Sequence, residues 1–168
     1  ITGVGEDYIK DILFGIEGRH AEPDLKPYYD GVPTPKSPKG VLTIGFGHTG
    51  RVRGIEMNSK NMDKIRITKD EAYEILAQDI ITAKLDAIKY FGADFVKAPE
   101  SIQNAIIDIV FNKGVPTGFE KEGSLTNNLK QNLADEDYVS AAVNTQYLTC
   151  NKGLKKRNVY RFISALQD

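Results

Sequence analysis

Apolar residues recur at helical spacing from the start of the chain. Tyr8, Ile9, Ile12, Leu13 and Ile16 fall on one side of a helix predicted over residues 6–17, and Gly18 is placed to cap its end. A polar, proline-rich section follows, and the period then shifts from helical to alternating. Pro27–Asp30 and Val41–Phe46 read as strands of a small sheet, joined by a long loop that Pro33, Pro35 and Pro38 stiffen. Residues 50–67 are polar and read as irregular. At Thr68 the pattern becomes helical again: Thr68-Lys-Asp-Glu71 forms a capping box, and Ala72, Ile75, Leu76, Ile80, Ala83, Ala87 and Ile88 carry the stripe to about Tyr90. Further helical patterns cover residues 100–113, 123–133, 135–148 and 153–166, with breaks at Gly114–Pro116, Ala134–Asp135 and Asn151–Gly153. The expected fold is therefore α+β. A small α+β lobe spans about 18–67, a bridging helix about 68–90, and an all-helical lobe about 91–168, to which the N-terminal helix is assigned.

Composition narrows the class. With 168 residues, 40% hydrophobic and 27% charged, the chain suits one globular domain; at this size folding hides roughly 70% of the surface of the unfolded chain. No apolar run approaches the roughly 20 residues of a membrane span, and no signal-peptide pattern is present. Starting at Ile1 rather than Met, the sequence reads as a processed product or an excised domain. The net charge of −1 lacks the basic excess of a nucleic-acid module. The basic group Lys152, Lys155, Lys156, Arg157 and Arg161 reads as a solvated helix face. One cysteine and two histidines exclude an internal disulfide and a Cys/His zinc site, so neither metal nor cofactor is expected.

Three local features carry chemistry. The first is Gly45-Phe-Gly47-His-Thr-Gly50, a G-x-G-x-x-G string after a strand. A dinucleotide site needs that string to open a helix, whereas RVRGIEMNSKN follows, without an amphipathic stripe. Alternation puts Leu42, Ile44 and Phe46 on a core face and Val41, Thr43, Gly45 and Gly47 on the other. The glycines then either clear room for a bulky ligand or serve a sharply bent strand. The second feature is Glu17, which prolongs an apolar stripe in the last turn of its helix. Burial and the helix dipole would both favour its protonated form, the state a general acid needs, although a solvated helix-end glutamate fits the pattern too. The third is Asp30, a strand-end carboxylate before Gly31, which by itself reads first as a turn aspartate bonding local N–H groups. An acid, a second carboxylate and a strand hydroxyl within thirty residues point toward glycoside hydrolysis.

Glu17-Gly18, Tyr29-Asp30 and Thr43-Ile-Gly45-Phe-Gly47-His48 together resemble the N-terminal signature of the phage T4 lysozyme family, muramidases that cut peptidoglycan. The likeness continues in order along nearly the whole chain. Residues 67–80 resemble the start of the interlobe helix, Val110–Gly114 a helix-to-loop segment, Ala141–Asn144 a later helix, and Gly153–Arg157 a C-terminal basic motif. The resemblance implies a lysozyme-like fold with Glu17 as general acid, Asp30 as second carboxylate and Thr43 as the hydroxyl that helps place the attacking water. Inversion would follow, with the carboxyls roughly 6.5–9.5 Å apart to admit that water. Saccharide contacts would come from Thr49, Phe111, Ser124 and Asn144, with the glycan lying between the lobes and Gly45 and Gly47 leaving room for its rings. Phe111 also suits ordinary core packing. His48 would serve structure, paired with Asp79, rather than catalysis.

The chain departs from short phage lysozymes in longer Glu17–Asp30 and Asp30–Thr43 spacings, an expanded 50–67 segment, the absence of tryptophan, and the missing basic charge. The last removes long-range attraction to anionic cell walls and leaves wall targeting to a fused module. The resemblance implies a cell-wall-lytic monomer acting on peptidoglycan glycan strands in the periplasm or target envelope, without membrane insertion. It would serve as endolysin, tail lysozyme, bacteriocin or effector domain, the last two with an immunity protein as a further partner. The competing class is a lysozyme-shaped module that grips wall glycan, or a protein partner, without cutting.

Overall fold

The computed structural model describes residues 22–113 and 125–145. The predicted helices over 6–17 and 153–166 lie outside the described residues. Among the described residues no helix is long and apolar enough to cross a membrane. The chain separates into two compact units, Ala21–Asp79 and a second that includes the chain from Ile80 onward.

In the first unit, β1 (Asp24–Asp30), β2 (Val41–Gly45) and β3 (His48–Thr49) form an antiparallel sheet in the order β1-β2-β3. The register pairs Tyr28 with Thr43, Tyr29 with Leu42 and Asp30 with Val41. Four residue steps on β1 from Asp24 to Tyr28 answer two on β2 from Gly45 to Thr43, so β1 bulges there. Pro27, which has no N–H for a ladder, sits within that bulge, and the Leu25 carbonyl is taken by the N–H of Ile67 at 3.0 Å. Leu42 and Ile44 face a small core of Ile44, Val52, Met57, Ile67 and Ala72, with Phe46, Ile65 and Ile75 packed around it. Ile44 is fully buried.

The 50–67 segment is more ordered than its composition predicts. β4 (Arg51–Val52) and β5 (Ile55–Glu56) make a hairpin, and Met62–Lys64 form one turn of 3₁₀ helix. The hairpin turns on Arg53 and Gly54, at φ +50° and +78°. Positive φ at both central residues makes a two-residue turn follow the twist of its strands. Arginine is an unusual choice for that backbone, and here its guanidinium donates to Glu71 at 2.6 and 2.7 Å and to the Arg66 carbonyl at 3.2 Å.

The long helix α1 (Lys69–Phe91) starts where the capping box predicts. The Thr68 hydroxyl accepts from the Glu71 N–H at 3.1 Å, and the Glu71 carboxylate accepts from the Thr68 N–H at 3.3 Å. Ala72, Leu76, Ile80, Ala83 and Ala87 are buried along it, spaced by three or four.

In the second unit, a short helix the sequence reading lacks, α2 (Ala93–Lys97), buries Phe95. In α3 (Glu100–Lys113), Ile102, Ala105, Ile106, Ile107, Ile109 and Val110 are all buried, as is Asp108. Apolar on several sides, it is the most buried helix among the described residues of its unit. α4 (Leu125–Ala134) contributes Leu129 and Leu133 to the core.

The break after α4 falls later than predicted. Glu136 takes a left-handed conformation at φ +55°, its N–H bonding the Leu133 carbonyl and the Asp137 N–H the Asn132 carbonyl. This is a Schellman closure with glutamate where glycine is usual. Asp137 then caps α5 (Tyr138–Val143), accepting from the Ser140 N–H and hydroxyl at 3.1 and 2.6 Å. That helix was predicted to run from 135 to 148. It gives way to a turn at Asn144–Thr145, and residues 146–148 lie outside the described residues.

Candidate active site

Antiparallel pairing settles which side chains share a face. Directly paired residues project to the same side, and alternate residues along a strand return to it. Tyr28 pairs with Thr43, Thr43 with Thr49, and Asp30 with Val41, so Asp30, Tyr28, Thr43 and Thr49 lie on one face of the sheet. Asp30 and Thr43 are diagonal neighbours on it, roughly 7–8 Å apart in such a pair. The opposite face carries Tyr29, Leu42, Ile44 and His48.

Asp30 is exposed at the end of β1. Its carboxylate has no hydrogen-bond partner among the described residues, and its backbone is fixed by the pairing with Val41. Thr43 is 3% exposed, and its hydroxyl donates to the Val41 carbonyl at 3.0 Å. With its one hydrogen committed, the oxygen keeps only acceptor capacity, and its small exposure limits it to a water-sized contact. Tyr28 is the residue of this face that the sequence reading omitted, although its i, i+2 spacing from Asp30 could have revealed it. Burial, then the nearby charges of Asp24 and Asp30 and a bond to Asp24, raise its phenol above the ordinary 10.0. The hydroxyl therefore stays protonated and donates.

The expectation that Gly45 and Gly47 leave room for sugar rings needs correction at Gly45. Gly45-Phe46-Gly47 is a three-residue hairpin loop between the paired Ile44 and His48, with φ +65° at Gly45 and +94° at Gly47. A side chain at Gly45 would meet Ile67 and Ala72, not open space. Strand alternation ends at Ile44, because the left-handed backbone at Gly45 already turns the chain. Nothing lies within 4 Å of the corresponding position at Gly47. Gly50 leads into the β4–β5 hairpin rather than a helix, which excludes a dinucleotide fingerprint.

His48 is held at both ring nitrogens. Nδ1 lies 2.8 Å from Asp79 Oδ2 and 3.0 Å from Oδ1, and Nε2 donates to the Arg51 carbonyl at 2.8 Å. The bond to Asp79 raises its pKa above 6.5, burial opposes that, and the Arg51 carbonyl adds to the rise. A ring engaged on both sides has no nitrogen left for a substrate.

The remaining predicted contacts divide. Phe111 is half-buried in α3 and Asn144 closes α5, where its Nδ2 donates to Asn132 Oδ1 at 2.6 Å. Asn132 was not foreseen. Glu17 and Ser124 lie outside the described residues. No group of three or more metal-ligating side chains occurs among the described residues.

Comparison with known proteins adds the family. No curated protein sequence matches the chain significantly. Solved structures that share its fold include two phage lysozymes. A point mutant of the lysozyme of phage P22 is 24% identical, with a TM-score of 0.62 over 99% of this chain and 97% of that one. The active form of the phage P1 endolysin Lyz is 16% identical, with a TM-score of 0.58 over 98% and 81%. Residues 23–159 match the phage lysozyme family, a span that takes in the Asp30–Thr43–Thr49 face, the His48–Asp79 pair and the helices beyond them, and the chain belongs to that family.

Proposed function

We propose that this chain is a T4-type muramidase that hydrolyses the β-1,4 bond between N-acetylmuramic acid and N-acetylglucosamine in peptidoglycan, with inversion. The observation that carries the reading is the sheet register, which sets the exposed carboxylate of Asp30 beside an acceptor-only hydroxyl, Thr43, with Thr49 in the same row. Family membership supplies the substrate class.

In this scheme Glu17 carries a proton and delivers it to the glycosidic oxygen as the bond from that oxygen to the anomeric carbon breaks. A water oxygen bonds the anomeric carbon from the opposite side, and its proton passes to the Asp30 carboxylate. Because Thr43 Oγ1 gives its hydrogen to Val41, it can only accept from that water, which turns a lone pair of the water toward the sugar. Thr49, Phe111, Ser124 and Asn144 are the proposed saccharide contacts. The chain acts as a monomer on the cell wall, without a cofactor, and a fused module or carrier brings it there.

Lysis of outer-membrane-permeabilised cells tests the assignment. Wild type should clear the suspension, and Glu17→Gln should not, while keeping the wild-type melting profile. Equal clearing by both would refute Glu17 as the general acid, and none by either with glycan still bound would leave a wall-binding module in place of an enzyme.

A further inference from the structure

We infer that Gly40 is a positioning residue for Asp30, locking the carboxylate through the backbone; this rests on the reading of Asp30 as the second carboxylate. Asp30 has no side-chain partner among the described residues to hold it. What the described residues do fix is its own peptide unit. On one side that unit is paired with Val41. On the other, Gly40 is buried against it at φ +94°, so closely that a Cβ there would lie 2.5 Å from the Asp30 carbonyl oxygen, 3.1 Å from the carbonyl carbon and 3.3 Å from the Gly31 oxygen. Only glycine permits that approach, because the atoms met are backbone and cannot swing aside.

The loop is built to press Gly40 there. Thr34 and Ser37 exchange N–H···O bonds at 2.9 and 3.0 Å, and the Thr34 hydroxyl accepts a further bond from the Ser37 N–H at 3.0 Å. The Gly40 N–H then closes on the Ser37 carbonyl at 3.0 Å. Pro33, Pro35 and Pro38 remove backbone freedom from the same ten residues. The proline-rich segment is thus a rigid brace whose far end bears on the carboxylate-bearing residue.

The test compares Gly40→Ala with Gly54→Ala and Asp30→Asn in the full chain. Gly54 shares the left-handed backbone, at φ +78°, but has open space around its absent side chain, so it controls for strain without the clash. Initial rates on purified peptidoglycan give kcat and KM, and NMR follows the Asp30 carboxyl carbon. A misplacement near 1 Å costs on the order of 10- to 100-fold. Gly40→Ala should lose that much in kcat with KM nearly unchanged, and should shift the Asp30 resonance, while Gly54→Ala leaves both alone. Wild-type kcat in Gly40→Ala beside an inactive Asp30→Asn overturns the inference alone. Wild-type kcat in Asp30→Asn overturns the catalytic reading and the inference together. Should Gly40→Ala fail to fold, Thr34→Gly loosens the same brace without a clash; its kcat should fall with melting intact, and an unchanged kcat would refute the role.

Discussion

Replacing Asp79 with asparagine tests the charge on His48. Both ring nitrogens face oxygen acceptors at 2.8 Å, a carboxylate on one side and the Arg51 carbonyl on the other. A neutral imidazole carries one N–H and must leave one of those contacts without a proton, so the ring satisfies both only as imidazolium. A hydrogen bond to a charged group contributes about 1.5–3 kcal/mol. The two side chains are 19% and 31% exposed; solvent screening therefore puts this pair at the low end, about 1–2 kcal/mol. For a chain of this size each kcal/mol moves the melting temperature by about 2–4 °C. Asp79→Asn should then melt about 2–8 °C below wild type in mildly acidic buffer.

The pH dependence gives that prediction its sign. The folded-state pKa of His48 is raised, chiefly by the Asp79 bond. Its contribution is therefore complete below the unfolded value of about 6.5 and is lost as pH rises through the folded value. Melts followed by far-UV circular dichroism should show the two proteins furthest apart on the acidic side and converging in alkali. Proton NMR should place the His48 midpoint above that of a free histidine, with Asp79→Asn lowering it. His20 is the only other histidine, so assignment is simple. A gap that stays constant or widens with pH, or an unraised midpoint, would refute the imidazolium argument.

Further outcomes follow from packing and backbone. Ile44 is fully buried in the small core of the Ala21–Asp79 unit, so Ile44→Ala should cost about 2–5 kcal/mol in urea unfolding. Hydrogen exchange should quicken first in β1–β3; a loss under about 1 kcal/mol would mean the core closes over the cavity. Thr68→Ala removes the acceptor for the Glu71 N–H and should cost about 1 kcal/mol, whereas Thr68→Ser should be nearly silent. Glu136→Gly relieves a left-handed glutamate at φ +55° and should stabilise the chain by about 0.5–1 kcal/mol; destabilisation would show that the Glu136 side chain supplies a contact that outweighs the strain.

What could be read from the sequence was whatever repeats over several turns or carries a two-residue signature. The Thr68–Glu71 box and the stripe from Ala72 to Ala87 define α1 by themselves, and the apolar run from Ile102 to Val110 marks a buried helix. β4 and β5 have two residues each, too few to show a period, and their turn places arginine where asparagine or aspartate would have announced it. The same substitution of a side-chain residue for glycine, at Glu136, left the junction between α4 and α5 legible only as a break at Ala134–Asp135, short of where the second helix starts. At the site, Thr43 and Asp30 could be picked by residue type, but their shared face depends on the register. Register is a tertiary property, and the bulge before Tyr28 makes it one no alternation count would recover.

The long Asp30–Thr43 spacing follows from the same register. Pairing of Asp30 with Val41 closes residues 31–40 into a loop whose two ends are neighbours. Whatever its length, such a loop leaves the diagonal between Asp30 and Thr43 unaltered, because the sheet rather than the intervening chain determines that separation. Lengthening costs little, since doubling a flexible loop adds only about 0.6 kcal/mol of closure entropy. Three prolines and the Thr34–Ser37 bonds reduce it further by restricting the unfolded chain and ordering the folded one. Distance along the sequence is thus a poor gauge of this site; what must be kept is the pair that ties the loop and the glycine that lets it close.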